Sequence, residues 1–342
     1  MSKSTRAIRV GRRALAAMVV AAGLGSCSSG DPGELLVYAG RNENLVRPLL
    51  DRFAEESGID IRVKYGDTSE LLPTILEEGA NTRADVFLSQ DAGALGELAG
   101  KELLAPLPDD LVELVAPRFR DVDGRWVGVT GRARVIAYNT DRVSVDQLPA
   151  GVEQVTDPKW RGKVGYPPTN ASFVAFVSSL RETIGEDRTR AFLEGLKAND
   201  AKRYDNNVQV LDAIASGEVE LGLVNHYYLY NEFKERPDAP VANHYPGQAA
   251  GGEGTLINVS GVAILSSSDR RPAAERFARF LLEESSQRYF RDETAEYPLR
   301  TGIDAIAELP ALDKLRTVDV PLSQLGRDLE GTVALLKDVG LS

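Results

Sequence analysis

The adjacent tyrosines Tyr227 and Tyr228 are the residues in this sequence best suited to bind a metal ion. Two deprotonated phenol oxygens form a hard, anionic donor set, which suits a highly charged cation such as ferric iron better than zinc or cuprous copper. A phenol has a pKa of about 10 and stays neutral at pH 7 unless a strong local charge favours the phenolate. A trivalent cation supplies that charge, so binding should release protons and weaken in acid. The alternative is that the two rings only pack at a strand-to-helix junction, one inside and one exposed.

Strand and helix patterns alternate along the chain and predict the elements that would position these tyrosines. The strand patterns lie at 34–40, 59–65, 84–89, 132–138, 162–166, 218–224 and 254–265. The helical patterns lie at 44–57, 69–79, 173–183, 186–199, 208–216 and 272–282. This alternation is typical of an α/β fold with mainly parallel sheets. Ligands of such sheets bind at the carboxyl ends of strands, which makes 41–44 and 89–91 candidate binding loops.

Residues 1–26 predict a lipoprotein signal peptide, because five basic residues precede an apolar segment at 14–24. Small residues then lead directly to Cys27, the only cysteine in the chain. We expect cleavage before Cys27 and lipidation of that residue, with 27–33 as the tether. The alternative is an ordinary signal peptide followed by a cysteine that has no such role.

Composition and charge exclude several classes of protein. Removal of the five basic residues of the signal peptide changes the formal charge from −11 to −16, which disfavours binding to nucleic acid or to an anionic membrane surface. No later segment approaches the roughly 20 apolar residues of a membrane span. A single cysteine allows no internal disulfide. The chain has only two histidines and no serine or cysteine nucleophile pattern beside them, so hydrolytic catalysis has no support.

Six motifs occur in order along the chain: VYAGR at 37–41, ADVF at 84–87, TGRARV at 130–135, DPKWRGK at 157–163, NHYYLY at 225–230 and AEYPLR at 295–300. With these motifs the chain resembles the periplasmic ferric-ion-binding proteins that deliver iron to ABC importers. The resemblance covers nearly the whole mature chain. It implies a two-lobed type II periplasmic binding fold with hinge crossovers through 134–138 and 255–259. The implied N-terminal lobe is 34–134 plus 256–308, and the implied C-terminal lobe is 135–255 plus 309–342.

The resemblance also assigns roles to individual residues. It implies that Tyr227 and Tyr228 bind ferric iron and that an accompanying anion, carbonate or phosphate, is held by polar side chains. Those side chains are Arg132, Asn170, Ser172, Asn207 and Asn225. The planar fork of an arginine suits an oxyanion, and helix N-termini offer free N–H groups to anions. The alternatives are helix capping for Asn170 and Ser172 and turn chemistry for Asn207 and Asn225.

The chain departs from the pattern of the family on the other side of the implied cleft. Some members also bind iron through a histidine after the first strand and a glutamate after the third, where this chain has the neutral amides Asn42 and Gln90. We therefore expect an open coordination sphere, completed by an exogenous anion, by water, or by Glu43 or Asp91. These two carboxylates have the alternative of lying on the surface or at helix N-termini.

Together these observations predict the binding component of an ABC importer, which captures ferric iron with an anion and passes it to a membrane permease. We expect a non-enzymatic monomer, located outside the cytoplasm and touching the membrane only through its lipid anchor. A second hypothesis is a protein of the same fold that binds a small organic solute or oxyanion, thiamine-like or phosphonate-like, without iron. A third is a surface protein that signals or adheres.

Overall fold

The structure, a computed structural model, describes residues 34–234, 236–250, 252–326 and 329–341. The predicted signal peptide, Cys27 and the tether at 27–33 lie outside these residues, so their roles stay predictions. No helix in the described part of the chain is long and apolar enough to cross a membrane.

The described strands form one mixed sheet. They are β1 (Leu35–Ala39), β2 (Ile61–Tyr65), β3 (Val86–Ser89), β4 (Leu104–Ala105), β5 (Trp126–Asn139), β6 (Val164–Tyr166), β7 (Lys202–Arg203), β8 (Leu221–Asn225), β9 (Val241–His244), β10 (Ile257–Leu265) and β11 (Tyr297–Pro298). Their order is β2-β1-β3-β10-β5-β8-β6-β7, with β4 paired to β10 and both β9 and β11 paired to β5.

Helices flank this sheet in the alternation that the sequence predicted. They are α1 (Glu43–Ser57), α2 (Thr68–Glu78), α3 (Ala92–Gly100), α4 (Asp109–Val112), α5 (Ala171–Ile184), α6 (Glu186–Ala198), α7 (Asn207–Ala215), α8 (Tyr227–Glu232), α9 (Arg271–Leu281), α10 (Glu284–Thr294) and α11 (Leu329–Val339). Short 3-10 turns connect several of them.

The strand directions differ between the ends and the middle of the sheet. At one end β1 runs parallel to β2 and β3, and at the other β6 runs parallel to β7 and β8. In the middle, β10 is antiparallel to β3 and β5, and β5 is antiparallel to β8. The mainly parallel arrangement that we expected is therefore present at both ends, while long antiparallel strands join them.

Strand β5 is the element that both ends of the sheet share. Its first part pairs with β10, its residues 134–138 pair with β8, and all of its residues are buried. We call the strands β1, β2, β3, β4, β10 and β11 the first sheet half, and β6 to β9 the second sheet half. The predicted hinge crossover at 134–138 falls in the second part of β5. The exact lobe boundaries stay a prediction.

Helix α1 illustrates how the sequence fixes one of these elements. The side chain of Asn42 accepts a hydrogen bond from the backbone of Asn44 at 2.9 Å, and Gly58 ends the helix at φ +67°. The apolar face is buried and includes Phe53, whose ring meets that of Phe277 in α9 edge-on at 5.0 Å. Deleting a buried phenyl ring costs about 3–5 kcal/mol. The α1–α9 contact thus stabilises the loop from which Asn42 and Glu43 project.

Helix α3 was not predicted from the sequence, because its glycines disfavour a helix. Six of its residues are nevertheless buried. A Cβ atom at Gly93 would lie 3.4 Å from the carbonyl oxygen of Leu325, so a glycine permits close packing against the segment Leu322–Gly326. Helices α4, α10 and α11 and strands β4, β7, β9 and β11 were also missed.

Candidate functional site

The tyrosine pair begins helix α8 directly after strand β8. The rings of Tyr227 and Tyr228 are stacked, with centroids 4.2 Å apart and planes at 27°. Tyr227 is only 2% exposed, whereas Tyr228 is half-buried. Among the described residues neither phenol oxygen has a hydrogen-bond partner. The arrangement of one ring inside and one partly outside fits the packing alternative as well, so the surroundings of the two oxygens decide the interpretation.

Tyr228 lines an open cleft of about 650 Å³. The cleft brings together parts of the chain that are distant in sequence: the loop before α1, the loop after β3, the start of α5 and the start of α8. The predicted site residues that line it are Asn42, Glu43, Gln90, Asn170 and Tyr228. A cavity of this size lies within the range of small-ligand sites.

Three buried charged side chains lie beside Tyr227, and we call them together with Tyr227 the site floor. Arg41 donates two hydrogen bonds to the carboxylate of Glu296, at 3.0 and 2.7 Å. The Nε atom of Arg132 lies 3.9 Å from Oε1 of the same carboxylate. All three charged groups influence the Tyr227 phenol electrostatically. Two cations and one anion therefore leave an excess of positive charge beside the tyrosine.

Sequence reasoning missed Arg41 and Glu296 as site residues. Both stand inside motifs that carried the family resemblance, VYAGR and AEYPLR, and that was the available signal. Burial raises the pKa of Glu296, but the neighbouring charges of Arg41 and Arg132 outweigh it and hold this pKa below its ordinary value. Glu296 is therefore ionised at neutral pH.

Arg132 is the residue of the site floor with free hydrogen-bonding capacity. It is 1% exposed, yet its Nε and both terminal nitrogens have no hydrogen-bond partner. Buried polar atoms almost always have partners, so these donors are free to bind a ligand or water. The side-chain nitrogen of Asn225 and the side-chain oxygen of Asn207 are also buried without a partner. These three predicted residues each retain free capacity for a ligand.

Asn170 and Ser172 lie at the start of α5, where the capping alternative is realised. The side-chain oxygen of Asn170 accepts hydrogen bonds from the backbone and the hydroxyl of Ser172, at 3.1 and 2.5 Å. Asn207 donates to the same oxygen at 3.4 Å, and a terminal nitrogen of Arg134 lies 3.4 Å from the Ser172 hydroxyl. The polar groups at this helix start are therefore mutually bonded.

Four predicted residues that follow strands β1 and β3 form what we call the cleft rim: Asn42, Glu43 and Gln90, which line the cleft, and the adjacent Asp91. Asn42 caps α1, and Glu43 forms an ion pair with Arg47 one turn later. Asp91 is buried and caps α3 by accepting a hydrogen bond from the backbone of Ala94 at 3.0 Å. Gln90 lines the cleft. Glu43 and Asp91 were proposed as substitute ligands, and each of these carboxylates has a local bonding partner.

Arg134 follows Arg132 by two residues and was not among the predicted site residues. It is buried and donates to the carbonyl of Leu223 at 2.6 Å, and its guanidinium lies 5.5 and 5.4 Å from the ring centroids of Phe173 and Phe176. Burial lowers the pKa of Arg134 to about 9, and the nearby Tyr228 acts in the opposite direction. Arg134 adds a third buried cation behind the tyrosine pair.

Tyr227 is protonated in this environment. Burial is the largest reason that its pKa lies well above the ordinary value, and Tyr228 and Glu296 raise it further, while Arg41 and Arg132 lower it. A cation that binds its oxygen must therefore displace a proton. Among the described residues no group of three or more His, Cys, Asp or Glu side chains gathers to form another metal site.

His226 precedes the tyrosines and is fully buried. Its Nδ1 accepts a hydrogen bond from the backbone of Ala133 at 3.0 Å, and its Nε2 lies 3.0 Å from the carbonyl oxygen of Ala295. Burial lowers its pKa to about 4. The ring is therefore neutral at physiological pH.

Comparison with known proteins agrees with this geometry. The sequence profile described as "Bacterial extracellular solute-binding protein" matches residues 81–321. "Iron uptake protein A1" of Synechocystis is 31% identical over 320 residues, covering 91% of this chain and 88% of that protein. The "Fe(3+)-binding periplasmic protein" of Serratia marcescens is 30% identical over 318 residues, 92% of each. Iron-bound HitA from Pseudomonas aeruginosa superposes with a TM-score of 0.85 at 33% identity, covering 91% of this chain and 100% of that chain.

These similarities extend over nearly the full length of both partners, so the relation is not confined to one motif or one half of the sheet. They confirm the expected two-lobed type II periplasmic binding fold. They also identify the protein as a binding protein and not an enzyme. The chain therefore belongs to the bacterial extracellular solute-binding proteins, within the family of periplasmic ferric-ion-binding proteins.

Proposed function

We propose that this protein captures ferric iron together with a small oxyanion in the cleft and delivers both to the permease of an ABC importer. The observation that carries the proposal is the stacked pair Tyr227 and Tyr228 next to Arg132, whose buried donors have no partner. Relatives named for iron uptake and Fe(3+) binding support it.

The two kinds of residue have complementary tasks. The phenol oxygens of Tyr227 and Tyr228 become phenolates when a trivalent cation displaces their protons, and hard anionic oxygens suit ferric iron. Arg132 donates hydrogen bonds to the oxyanion, and Asn225 adds a free amide N–H. Since two tyrosines do not complete the coordination of the ion, the anion or water takes the open positions. Carbonate and phosphate both fit this role.

Membrane attachment completes the proposed function. Lipidation at Cys27 would leave only the tether 27–33 between the membrane and β1, so the receptor would stay close to its permease. The folded part then acts as a monomer that carries its cargo from solution to the membrane. Mass spectrometry of the membrane-extracted protein tests this, because an unmodified Cys27 would contradict the anchor.

Visible absorbance is the direct test of iron binding, because a ferric phenolate is coloured. The wild-type protein titrated with ferric iron and bicarbonate should develop a visible band, which the double variant Tyr227→Phe, Tyr228→Phe should lack. Tyr230→Phe is the matched control, since Tyr230 lies in the same helix but bonds to the carbonyl of Glu308. A band of undiminished intensity in the double variant would remove the tyrosines from the site.

The identity of the anion needs its own titration. Iron-dependent colour should be measured with bicarbonate, phosphate, citrate or no added anion, at fixed pH. We expect a requirement for an oxyanion that is lost when Arg132 is replaced. Colour that develops fully in anion-free buffer would show that water and protein alone complete the coordination.

The second candidate function is the binding of an anionic organic solute without iron. The observation in its favour is that Arg41, Arg132 and Arg134 are all buried near the tyrosines, and that Glu296 forms ion pairs with the first two. Native mass spectrometry and elemental analysis of protein purified without chelators separate the two. A bound organic molecule without stoichiometric iron would favour this second function.

A further inference from the structure

His226 stands where strand β8 stops and helix α8 begins. Its backbone N–H donates to the carbonyl oxygen of Ala133 at 3.0 Å, and its ring Nδ1 accepts from the N–H of Ala133 at 3.0 Å. If the chain had continued as a strand beside β5, a backbone carbonyl could have accepted the hydrogen bond from the N–H of Ala133. Because the chain turns into a helix instead, the imidazole supplies the acceptor and no buried N–H is left unpaired.

The second ring nitrogen reaches a different part of the chain. Since Nδ1 accepts a hydrogen bond, the ring proton is on Nε2, which donates to the carbonyl oxygen of Ala295 at 3.0 Å. Ala295 has a left-handed backbone, with φ +53°. The imidazole also packs against the ring of Tyr297 with centroids 4.9 Å apart. His226 thus contacts the residues on both sides of Glu296, the backbone of Ala295 and the ring of Tyr297.

The ring contacts of His226 fall next to residues of the site floor. Tyr227 follows it in sequence, Ala133 follows Arg132, and Ala295 precedes Glu296. We propose that His226 is a positioning residue that fixes the Tyr227 oxygen, the Arg132 guanidinium and the Glu296 carboxylate relative to one another. The inference rests on the proposed function, and it adds that the affinities for iron and for its anion are coupled through this one imidazole.

The other histidine provides a matched comparison. The Nε2 atom of His244 lies 2.8 Å from the carbonyl oxygen of Pro149, so this ring also ties two segments together. His244 lies in β9, which pairs with β5 at Ile136, and no residue adjacent to its partner belongs to the site floor. Replacing His244 therefore tests the effect of losing a histidine bond without disturbing the site.

Two amide substitutions separate the two ring bonds of His226. His226→Asn places an acceptor near the position of Nδ1 and should retain the bond from Ala133, whereas His226→Gln places a donor near Nε2 and should retain the bond to Ala295. His226→Phe removes both. All three, with His244→Phe as the control, should be titrated with ferric iron and separately with bicarbonate, with the visible band as the readout and thermal unfolding in parallel.

We expect His226→Gln and His226→Phe to raise the bicarbonate concentration for half-maximal colour by about 10- to 100-fold, the usual effect of losing a contact behind a metal ligand. His226→Asn should change it less than about tenfold, because the peptide beside Arg132 stays held. Titrations of His226→Gln and His226→Phe that coincide with that of His244→Phe would overturn the inference. So would a fall in melting temperature without any change in the bicarbonate dependence.

Two further experiments use the wild-type protein. If it develops no colour with iron and bicarbonate, the proposed function fails and the inference with it, whereas colour with unaffected variants overturns the inference alone. If the variants do not fold, nitrogen-15 NMR of the wild type decides the matter, with gallium(III) and bicarbonate as diamagnetic probes. We expect His226 to keep its proton on Nε2 in both the free and the gallium-loaded protein. Protonation of Nδ1 in the loaded protein would overturn the proposal.

Discussion

The site floor and the cleft rim both consist of polar residues but differ in what those residues bond to. On the rim, Asn42, Glu43 and Asp91 each have a local partner, at a helix start or one helical turn away. On the floor, the Arg132 guanidinium is buried without a hydrogen bond, and among the described residues the Tyr227 oxygen has no hydrogen-bond partner. The rim is complete without a ligand, whereas the floor is not.

This difference favours the alternative given above for the two carboxylates of the rim, that they act at helix N-termini. A carboxylate near a cleft is a chemically suitable metal ligand, but Glu43 and Asp91 already stabilise the N-terminal ends of α1 and α3. To bind iron they would have to give up those bonds. Arg132 gives up no hydrogen bond when it binds an anion. The comparison predicts that floor substitutions alter binding and that rim substitutions alter stability.

The largest effect is expected from the carboxylate of the floor. Glu296→Ala leaves Arg41 and Arg132 buried without their counter-ion, and breaking a buried ion pair in this way destabilises a protein by about 3–5 kcal/mol. Urea denaturation of the iron-free protein measures the loss. The matched control is Glu284→Ala, which breaks an exposed pair with Arg288 and should cost less than about 1 kcal/mol. Equal losses in both variants would mean that the floor is no more sensitive than the surface.

The second prediction concerns acid and the imidazole behind the floor. The pKa of His226 is lowered from 6.5 to about 4 by burial, so below pH 6.5 the unfolded chain binds a proton that the folded protein does not. Stability from this group is therefore present above pH 6.5 and lost as the pH falls through 4, by roughly 3 kcal/mol in all.

Unfolding free energies of the iron-free protein at a series of pH values check this. His226→Phe should flatten the curve between pH 6.5 and 4. Asp91→Asn on the rim should not remove the loss of stability between pH 6.5 and 4. Burial raises the pKa of Asp91, so the contribution of this carboxyl to stability falls as the pH rises, opposite to that of His226. A slope that survives in His226→Phe would assign the acid sensitivity to another group.

The third prediction separates binding from stability at Arg132. Since its guanidinium is buried without a hydrogen bond, Arg132→Met should leave the stability of the iron-free protein unchanged or raise it. Charge-assisted hydrogen bonds contribute about 1.5–3 kcal/mol each, so the anion concentration needed for colour should rise by roughly 10- to 100-fold. Arg132→Lys keeps the charge but loses the planar fork, so the anion concentration that it needs for colour should lie between those of the wild type and of Arg132→Met. A stability loss with unchanged anion dependence would make Arg132 a structural residue.

The smallest effects are expected on the rim. Asn42→Ala and Asp91→Ala each remove a helix cap and should reduce stability by about 1 kcal/mol. The iron titration should stay close to that of the wild type in both variants, and in Glu43→Gln. If Glu43→Gln or Asp91→Ala lowered the affinity for iron by about tenfold or more, the size expected of a lost metal contact, the rim would supply a ligand and the comparison would fail.

The sequence predicted the α/β alternation, the position of most helices and the tyrosine pair, because these depend on local periodicity and on residue type. It did not predict α3, since burial against a distant segment overrides the low helix propensity of its glycines. It also missed the pairing of Arg41 with Glu296, which joins residues 255 positions apart. No pattern in a single sequence reports such a contact, although both residues lie in motifs that carried the family resemblance.

Strand β5 has a consequence for the way the molecule unfolds. Its first residues complete the pairing of β10 and its last residues complete that of β8, so one continuous stretch of backbone belongs to both halves. Unfolding of β5 would remove a paired strand from both halves of the sheet at once. We therefore expect the two halves of the sheet to unfold as a single cooperative unit, and we expect neither half to be stable when excised.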